Sequence, residues 1–472
     1  AHHRAGILDL KGGFGSTLAS FISISGGASV GIYGPLVHFG ATVSSFIRRQ
    51  KFIPKIPHDI IIGSGVAAAI SAGFGAPLAG IIFAHETVLR HFSMKAVAAL
   101  AISSMAANFS ATEIGIVSPP LLLSAISFEM SDILISLAII GPLASIVAVA
   151  FMKLTLFLGS VPAKINLKNW QAPIIAGICC GLCGMFFSEV LGLGTEVLMS
   201  VITTENIFSY LLILLICKLV LTSICIGFGF FGGIFSPALF LGGVLGAIVF
   251  QLPFTSHNPD LLSVLAVSGM AAVSSSVIGA PITAIILVLE LTGSYEYAIA
   301  ATFPIVVCSF ITSRSFANSV FDRQLISRGV AITKGREQIR LNDALIRNYV
   351  DSNYTKLKPT TSVKNALKVL VKQKTSEGYI VSDDNKFIGK ISLMNLVNKK
   401  GFHLSKYLES KPLIIDPNSN LIFVIKKLSK FVGESIPVVD KKNNEMVGII
   451  SENDVLKAYL DISEEINQIE KH

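Results

Sequence analysis

The sequence predicts an all-α polytopic membrane domain with broken helices, followed by a small α/β tandem outside the membrane. Three observations carry that expectation. Only 14% of the 472 residues are charged and the mean hydropathy is +0.67, against about 25% charged residues in soluble domains. Two Gly/Pro motifs recur in the same order within the apolar part. The composition then changes abruptly near Arg314, and the chain turns lysine-rich, with short alternating segments. These features divide the chain into a membrane domain (1–329), a linker (330–350) and a soluble part (351–472) whose two units cover 351–405 and 406–465.

A helix crosses the hydrocarbon core with about 20 apolar residues. The stretches Ile133 to Met152 and Leu261 to Leu289 contain no charged residue, so several segments are long enough to span. The cysteines Cys179, Cys180, Cys183, Cys217, Cys225 and Cys308 all lie in apolar stretches. Cys180 and Cys183 form a C-x-x-C, which inside a membrane helix reads as small apolar packing, not as a metal or redox site. The net charge is +8. Arg48, Arg49, Lys51 and Lys55 sit together and mark a cytoplasmic loop by the positive-inside rule, whereas Gln251 to Asp260 carries no Lys or Arg and belongs outside. The basic residues are otherwise dispersed with no reading motif beside them, which excludes a nucleic-acid partner.

The membrane part repeats itself. Gly31-Ile32-Tyr33-Gly34-Pro35, followed by Phe39-Gly40-Ala41, corresponds to Gly233-Ile234-Phe235-Ser236-Pro237, followed by Leu241-Gly242-Gly243. Gly75-Ala76-Pro77, Ile81-Ile82 and Glu86 recur as Gly279-Ala280-Pro281, Ile285-Ile286 and Glu290. The two motifs are 44 residues apart in the first half and 46 in the second. Repeated halves with Gly/Pro-interrupted apolar segments are a transport architecture, in which broken helices point their N-termini at a substrate near the membrane midplane. Pro35 and Pro237 suit a first helical turn, where a missing N–H is harmless. The glycines before them leave backbone amides exposed, and amides at the positive end of a helix dipole attract an anion. No fixed cation is needed, so the ion is free to leave again. Only thirty residues precede Gly31, whereas a much longer run of apolar segments precedes Gly233; further helices are therefore expected upstream of Ala1.

At these motifs the sequence resembles the CLC family of chloride channels and chloride/proton exchangers. Gly31 to Pro35 corresponds to the family's G-[KR]-E-G-P, and Gly233 to Pro237 to its G-x-F-x-P. A third signature, G-S-G-I-P, would lie just upstream of Ala1. The resemblance implies two inverted repeats per subunit, a homodimer with one pathway in each subunit, and a multi-pass location in a bilayer, of the bacterial inner or plasma membrane type. It implies chloride or a similar small anion as cargo, no required cofactor and no enzymatic reaction. Carried over, the amides of Gly233, Ile234 and Phe235 hold an anion at a central site, and those of Gly31, Ile32, Tyr33 and Gly34 hold one at an outer site. The family's pore tyrosine aligns with Phe321, in Phe321-Asp322-x-x-Leu325, so its hydroxyl donor is lost.

Two departures bear on mechanism. The family's gating glutamate position is Tyr33, and the internal proton glutamate of exchangers, the second residue of an E-E pair, is Thr87 after Glu86. A free Glu titrates near 4.3 and is tunable toward neutrality, a Tyr titrates near 10, and a Thr does not titrate. Passive anion conduction is therefore expected, with Tyr33 plugging the outer site or donating to an ion there. One alternative is an exchanger whose protons travel by His38 and His85, since histidine shuttles protons near neutral pH. Another is a non-conducting sensor blocked at Tyr33. Glu86 and Glu290 close the two halves symmetrically, which reads as a structural role at helix ends although ionisable groups at membrane depth are functional candidates.

The tail also repeats. Thr361-Ser362-Val363 leads to a helix, the strand Gly378 to Asp383, the strand Phe387 to Ser392 and a helix from Leu393. Ser419-Asn420-Leu421, Ile436 to Asp440, Met446 to Ser451 and a helix from Asn453 repeat that order. The pair resembles two CBS domains, which many CLC proteins carry on the cytoplasmic side. In some CBS pairs an Asp in the place of Asp454 binds the ribose of an adenine nucleotide; the first copy has Asn395 there. The alternative is that Asp454 starts a helix, where Asp is favoured.

Overall fold

The computed structural model describes residues 9–48, 56–92, 94–115, 130–253, 258, 260–316, 319–327, 341, 344–399, 401, 403–409, 412–429 and 431–471. Arg49, Lys51, Lys55, most of the 254–259 stretch and positions 330–340 of the linker lie outside them. The chain forms two compact units, Ala1–Gly329 and Val330–His472.

The regular elements described in the first unit are all helices, apart from one isolated bridge. In chain order the helices are α1 (Leu10–Ser25), α2 (Tyr33–Ile47), α3 (His58–Phe74), α4 (Pro77–Phe83) and α5 (Met94–Glu113) in the first half, then α6 (Met130–Lys164), α7 (Gln171–Phe186), α8 (Thr195–Thr203), α9 (Phe208–Gly227), α10 (Phe235–Phe250), α11 (Asp260–Ile278), α12 (Pro281–Thr292), α13 (Tyr295–Phe316) and α14 (Val320–Ser327). A π-helix, Ala84–Leu89, continues α4. The repeat seen in sequence is a repeat of elements: α2 to α5 correspond to α10 to α13.

Local chemistry fixes the breaks. Gly75 and Gly279 both have positive φ, 67° and 82°, a conformation that costs glycine little. Pro77 and Pro281 then open α4 and α12 in the first turn, where no N–H is required. Described helices long and apolar enough to cross a membrane include Met94–Glu113, Ile133–Lys164, Phe208–Gly227 and Leu261–Ile278. Leu261–Ile278 is buried along its whole apolar window. It packs against α10 and α13 and forms the centre of the second half.

The second unit holds two βαβ-like copies. The first has β1 (Lys356–Leu357), α15 (Val363–Gln373), β2 (Glu377–Val381), β3 (Phe387–Ser392) and a short α16 (Leu393–Leu396). The second has α17 (Leu421–Leu428), β4 (Ser435–Asp440), β5 (Glu445–Ser451) and α18 (Glu452–Lys471). β1 pairs parallel with β2, β2 antiparallel with β3, and β4 antiparallel with β5. The strand period of two divides the side chains. Ile380 and Ile391 pack on the helices of their own copy, while Tyr379 and Val381 meet Val439 and Met446 of the other. Leu341 and Ile346, which the sequence places in the linker, are buried in the core of the second copy, so that part of the segment is folded against the domain.

Candidate functional site

The two Gly/Pro motifs meet backbone to backbone. Gly31 N donates to Gly233 O at 2.7 Å and Gly233 N to Gly31 O at 2.6 Å, an isolated antiparallel bridge that joins the halves. The contact leaves no room for side chains. A Cβ on Gly31 would sit 2.9 Å from Gly233 O, one on Gly34 2.9 Å from Gly233 Cα, and one on Gly233 2.7 Å from Gly34 N. The glycines are thus required by close approach. This corrects the expectation for two of the seven amides: those of Gly31 and Gly233 bond each other and are not available to an anion.

The remaining five are available. The first helical bonds run from Leu36 N to Ile32 O and from Ala238 N to Ile234 O, both 3.1 Å. The N–H groups of Ile32, Tyr33 and Gly34, and of Ile234 and Phe235, precede them and have no backbone acceptor among the described residues, as expected for first-turn donors. Pro35 and Pro237 each occupy the third position of their helix. Each half therefore ends its break in a cluster of free amides at a helix N-terminus.

A cavity of about 750 Å³ is lined by residues from both helix N-termini. Tyr33 and Gly34 from α2, Ile234 and Phe235 from α10, Thr87 from the π-helix and Phe321 from α14 all line it. Ile32 does not; it is 41% exposed. The Tyr33 ring lies flat on Phe74, with centroids 3.7 Å apart and planes 12° apart, and meets Phe235 edge-on at 5.6 Å. Phe74 meets Phe235 edge-on at 5.2 Å. Such contacts hold an aromatic ring in one orientation. No described residue hydrogen-bonds the Tyr33 hydroxyl, which leaves it a donor in a cavity-lining residue. Phe321 presents only a ring.

The two proton positions carry no carboxylate. Thr87 Oγ1 donates to Phe83 O one turn back, at 2.7 Å. Glu86, beside it, is fully engaged. Its carboxylate accepts from Ile282 N (3.1 Å), Thr283 N (2.9 Å) and Thr283 Oγ1 (2.7 Å) at the start of α12. Glu290, at the end of α12, accepts from Leu78 N and Ala79 N at the start of α4, both at 2.8 Å. Each glutamate caps the helix of the other half, where a negative charge meets the positive end of the dipole. His38 lines the cavity, with Nδ1 2.8 Å from Ser16 Oγ. His85 does not: it is 1% exposed, stacked on Phe92 at 5.0 Å, with Nδ1 3.1 Å from His91 O. The two histidines of an alternative proton route do not share the cavity.

Sequence reasoning missed Lys218. It is fully buried on α9, donates to Val190 O and Gly192 O at 2.9 Å each, and lies 5.1 Å from the Phe240 ring centroid. A lone charge within an apolar span was the signal available. Cys180 faces Cys225, 3.2 Å away on α9, not its C-x-x-C partner. In the second unit Asp454 Oδ2 accepts from Ser451 N (2.9 Å) and Ser451 Oγ (2.6 Å), while Asp454 N donates to Ser451 Oγ (3.2 Å). That reciprocal arrangement is a capping box, so this carboxylate serves as the start of α18.

The profile of the voltage-gated chloride channel family matches residues 1–314, and that of the CBS domain matches 346–400 and 404–461. The chain is 25% identical over 444 residues to chloride channel protein CLC-e of Arabidopsis thaliana, covering 81% of this chain and 62% of that protein. It is 28% identical over 332 residues to the H(+)/Cl(-) exchange transporter ClcA of Vibrio vulnificus, covering 67% of this chain and 69% of the relative. It is 25% identical over 326 residues to the voltage-gated ClC-type chloride channel ClcB of Escherichia coli, covering 67% and 76%. Among solved structures, a slow cyanobacterial Cl-/H+ antiporter shares the fold with a TM-score of 0.59 at 20% identity, covering 66% of this chain and 75% of the other. A eukaryotic CLC transporter does so with a TM-score of 0.55 at 16% identity, covering 91% and 77%. The family profile, the paired helix breaks and the shared fold converge: the chain belongs to the voltage-gated chloride channel family, and it carries a tandem pair of CBS domains.

Proposed function

We propose that the protein conducts chloride or a similarly small inorganic anion passively across a bilayer, as a homodimer with one pathway in each subunit and with the CBS pair on the cytoplasmic side. No bond is made or broken. The observation that carries this reading is the cavity itself: Tyr33 and Gly34 of one helix N-terminus and Ile234 and Phe235 of the other line it, their N–H groups have no backbone acceptor among the described residues, and neither Tyr33 nor Thr87 supplies a carboxylate. Amide dipoles bind an anion without the depth of a fixed cation, which suits entry and exit. Coupled exchange needs a group that gains and loses a proton near neutral pH, and Tyr and Thr do not.

The relatives include proteins named as exchangers and others named as channels, so an exchange reading competes. His38 is its best candidate, as the one imidazole among the described residues that lines the cavity. The retained G-x-F-x-P motif at Gly233 to Pro237, with both helix N-termini lining one cavity, argues against the non-conducting reading. Chloride efflux from proteoliposomes, with internal pH recorded together and voltage set by a potassium ionophore, separates the three. Passive conduction gives efflux without proton movement. Proton uptake driven by the chloride gradient contradicts it and directs attention to His38. No efflux favours the sensor.

A further inference from the structure

The lining of the cavity includes one guanidinium that the amide mechanism does not use. Arg90 follows the π-helix directly and adopts a left-handed conformation, φ 60°. Such a backbone is uncommon for a residue with a side chain, and π-turns and strained residues cluster at functional positions. Its Nη2 donates to Asp322 Oδ1 at 2.5 Å. Asp322 is the residue after Phe321, its side chain is 10% exposed against 40% for Arg90, and it also lines the cavity. The pair is single-point. A guanidinium carries five N–H donors, and among the described residues the other four of Arg90 have no partner. Of the remaining charged lining groups, Glu86 is engaged by α12. The cavity thus holds a guanidinium with unused donors, paired in charge with one carboxylate, beside a Glu86 carboxylate that is itself bonded to α12.

We propose that Arg90 is a further anion-binding position in the cavity, distinct from the helix-N-terminal amides, for a small monovalent anion, and that Asp322 limits its strength. This rests on the reading of the cavity as an anion pathway. An unopposed guanidinium in a low-dielectric cavity would hold an anion too long for conduction. One carboxylate at single-point distance lowers that attraction without filling the donors. The remaining donors would attract an anion at short range, an attraction that salt screens.

The test uses the full chain, its Arg90→Gln and Asp322→Asn variants, and two readouts. Bromide binding is measured by titration calorimetry in detergent, and chloride efflux from proteoliposomes, each at low and high ionic strength. The Debye length falls from about 30 Å at about 0.01 M to about 3 Å at about 1 M. At low ionic strength Arg90→Gln is expected to weaken bromide binding and slow efflux several-fold, and Asp322→Asn to tighten binding several-fold. Both differences should shrink toward unity at high ionic strength. Variants that bind bromide as wild type does, or that lose binding equally at both ionic strengths, overturn the proposal. An absence of efflux in the wild type would overturn passive conduction instead, while the binding readout still decides the role of Arg90.

Discussion

Tyr33 stands where an acidic side chain would compete with the permeating ion. A carboxylate there would reach the free amides of its own first turn and take the place of an anion, as carboxylates do at helix N-termini. The phenol has no such charge and is stacked on Phe74. Tyr33→Glu is therefore expected to slow chloride efflux several-fold at neutral pH and to restore it as the carboxyl protonates in acid; a pH series of efflux rates checks this, and a flat profile would contradict it. At the crossing of the motifs the demand is steric. Gly233→Ala would put a methyl 2.7 Å from Gly34 N, with backbone that cannot give way. Conduction should be lost, and the detergent-solubilised protein should unfold at a lower temperature than wild type. Tyr33, Ile234 and Phe235 were legible because a G-x-x-x-P motif is local. The mutual bonding of Gly31 and Gly233 was not, since it joins strands of sequence from opposite halves, and only their partner reveals that their amides are occupied.

At the scale of elements, the two halves are tied by exchanged caps. Glu86 closes the start of α12 and Glu290 the start of α4. Hydrogen bonds to a charged acceptor contribute about 1.5–3 kcal/mol. Glu290→Gln should therefore lower stability by about that amount, read as a fall in thermal unfolding midpoint by a thiol-reactive dye, with little change in the charge lining the cavity. The recurrence of a glutamate after each G-A-P motif made a structural role at a helix end legible, but not that each end belongs to the other half. In the second unit, Lys390 and Glu377 form a buried pair at 2.6 Å, with Lys390 also donating to Ser435 O and Tyr379 bonded to Ser435 Oγ. Burial pushes the Tyr379 phenol above its ordinary range. This network links β2 and β3 of one copy to β4 of the other. Lys390→Met leaves Glu377 as an uncompensated buried charge, which costs about 3–5 kcal/mol. Urea unfolding of residues 330–472, followed by circular dichroism, should show that loss, and Glu377→Gln added to Lys390→Met should recover part of it. No sequence period announces such a pair, because β2 is buried at every position and β3 at most of them, so burial does not alternate along either strand.

For the whole molecule, the fold was legible because it is repetitive. Two motifs in order, at nearly equal spacing, gave the halves; a strand–strand–helix order given twice gave the tandem. What the sequence concealed lies between repeats: the Gly31–Gly233 bridge, the exchanged glutamates, Lys218 beneath the loop at Val190, and Arg90 beside Asp322. All depend on which residues of distant segments share a surface, and local pattern does not encode that. The cavity joins these scales, since amides from both halves reach it and no carboxylate occupies either proton position. The voltage at which net chloride flux vanishes tests this account most directly, measured in proteoliposomes with a fixed chloride gradient and a varied proton gradient. Passive conduction predicts a reversal voltage at the chloride equilibrium potential whatever the proton gradient. A reversal voltage that moves with the proton gradient would show coupled exchange and contradict the account.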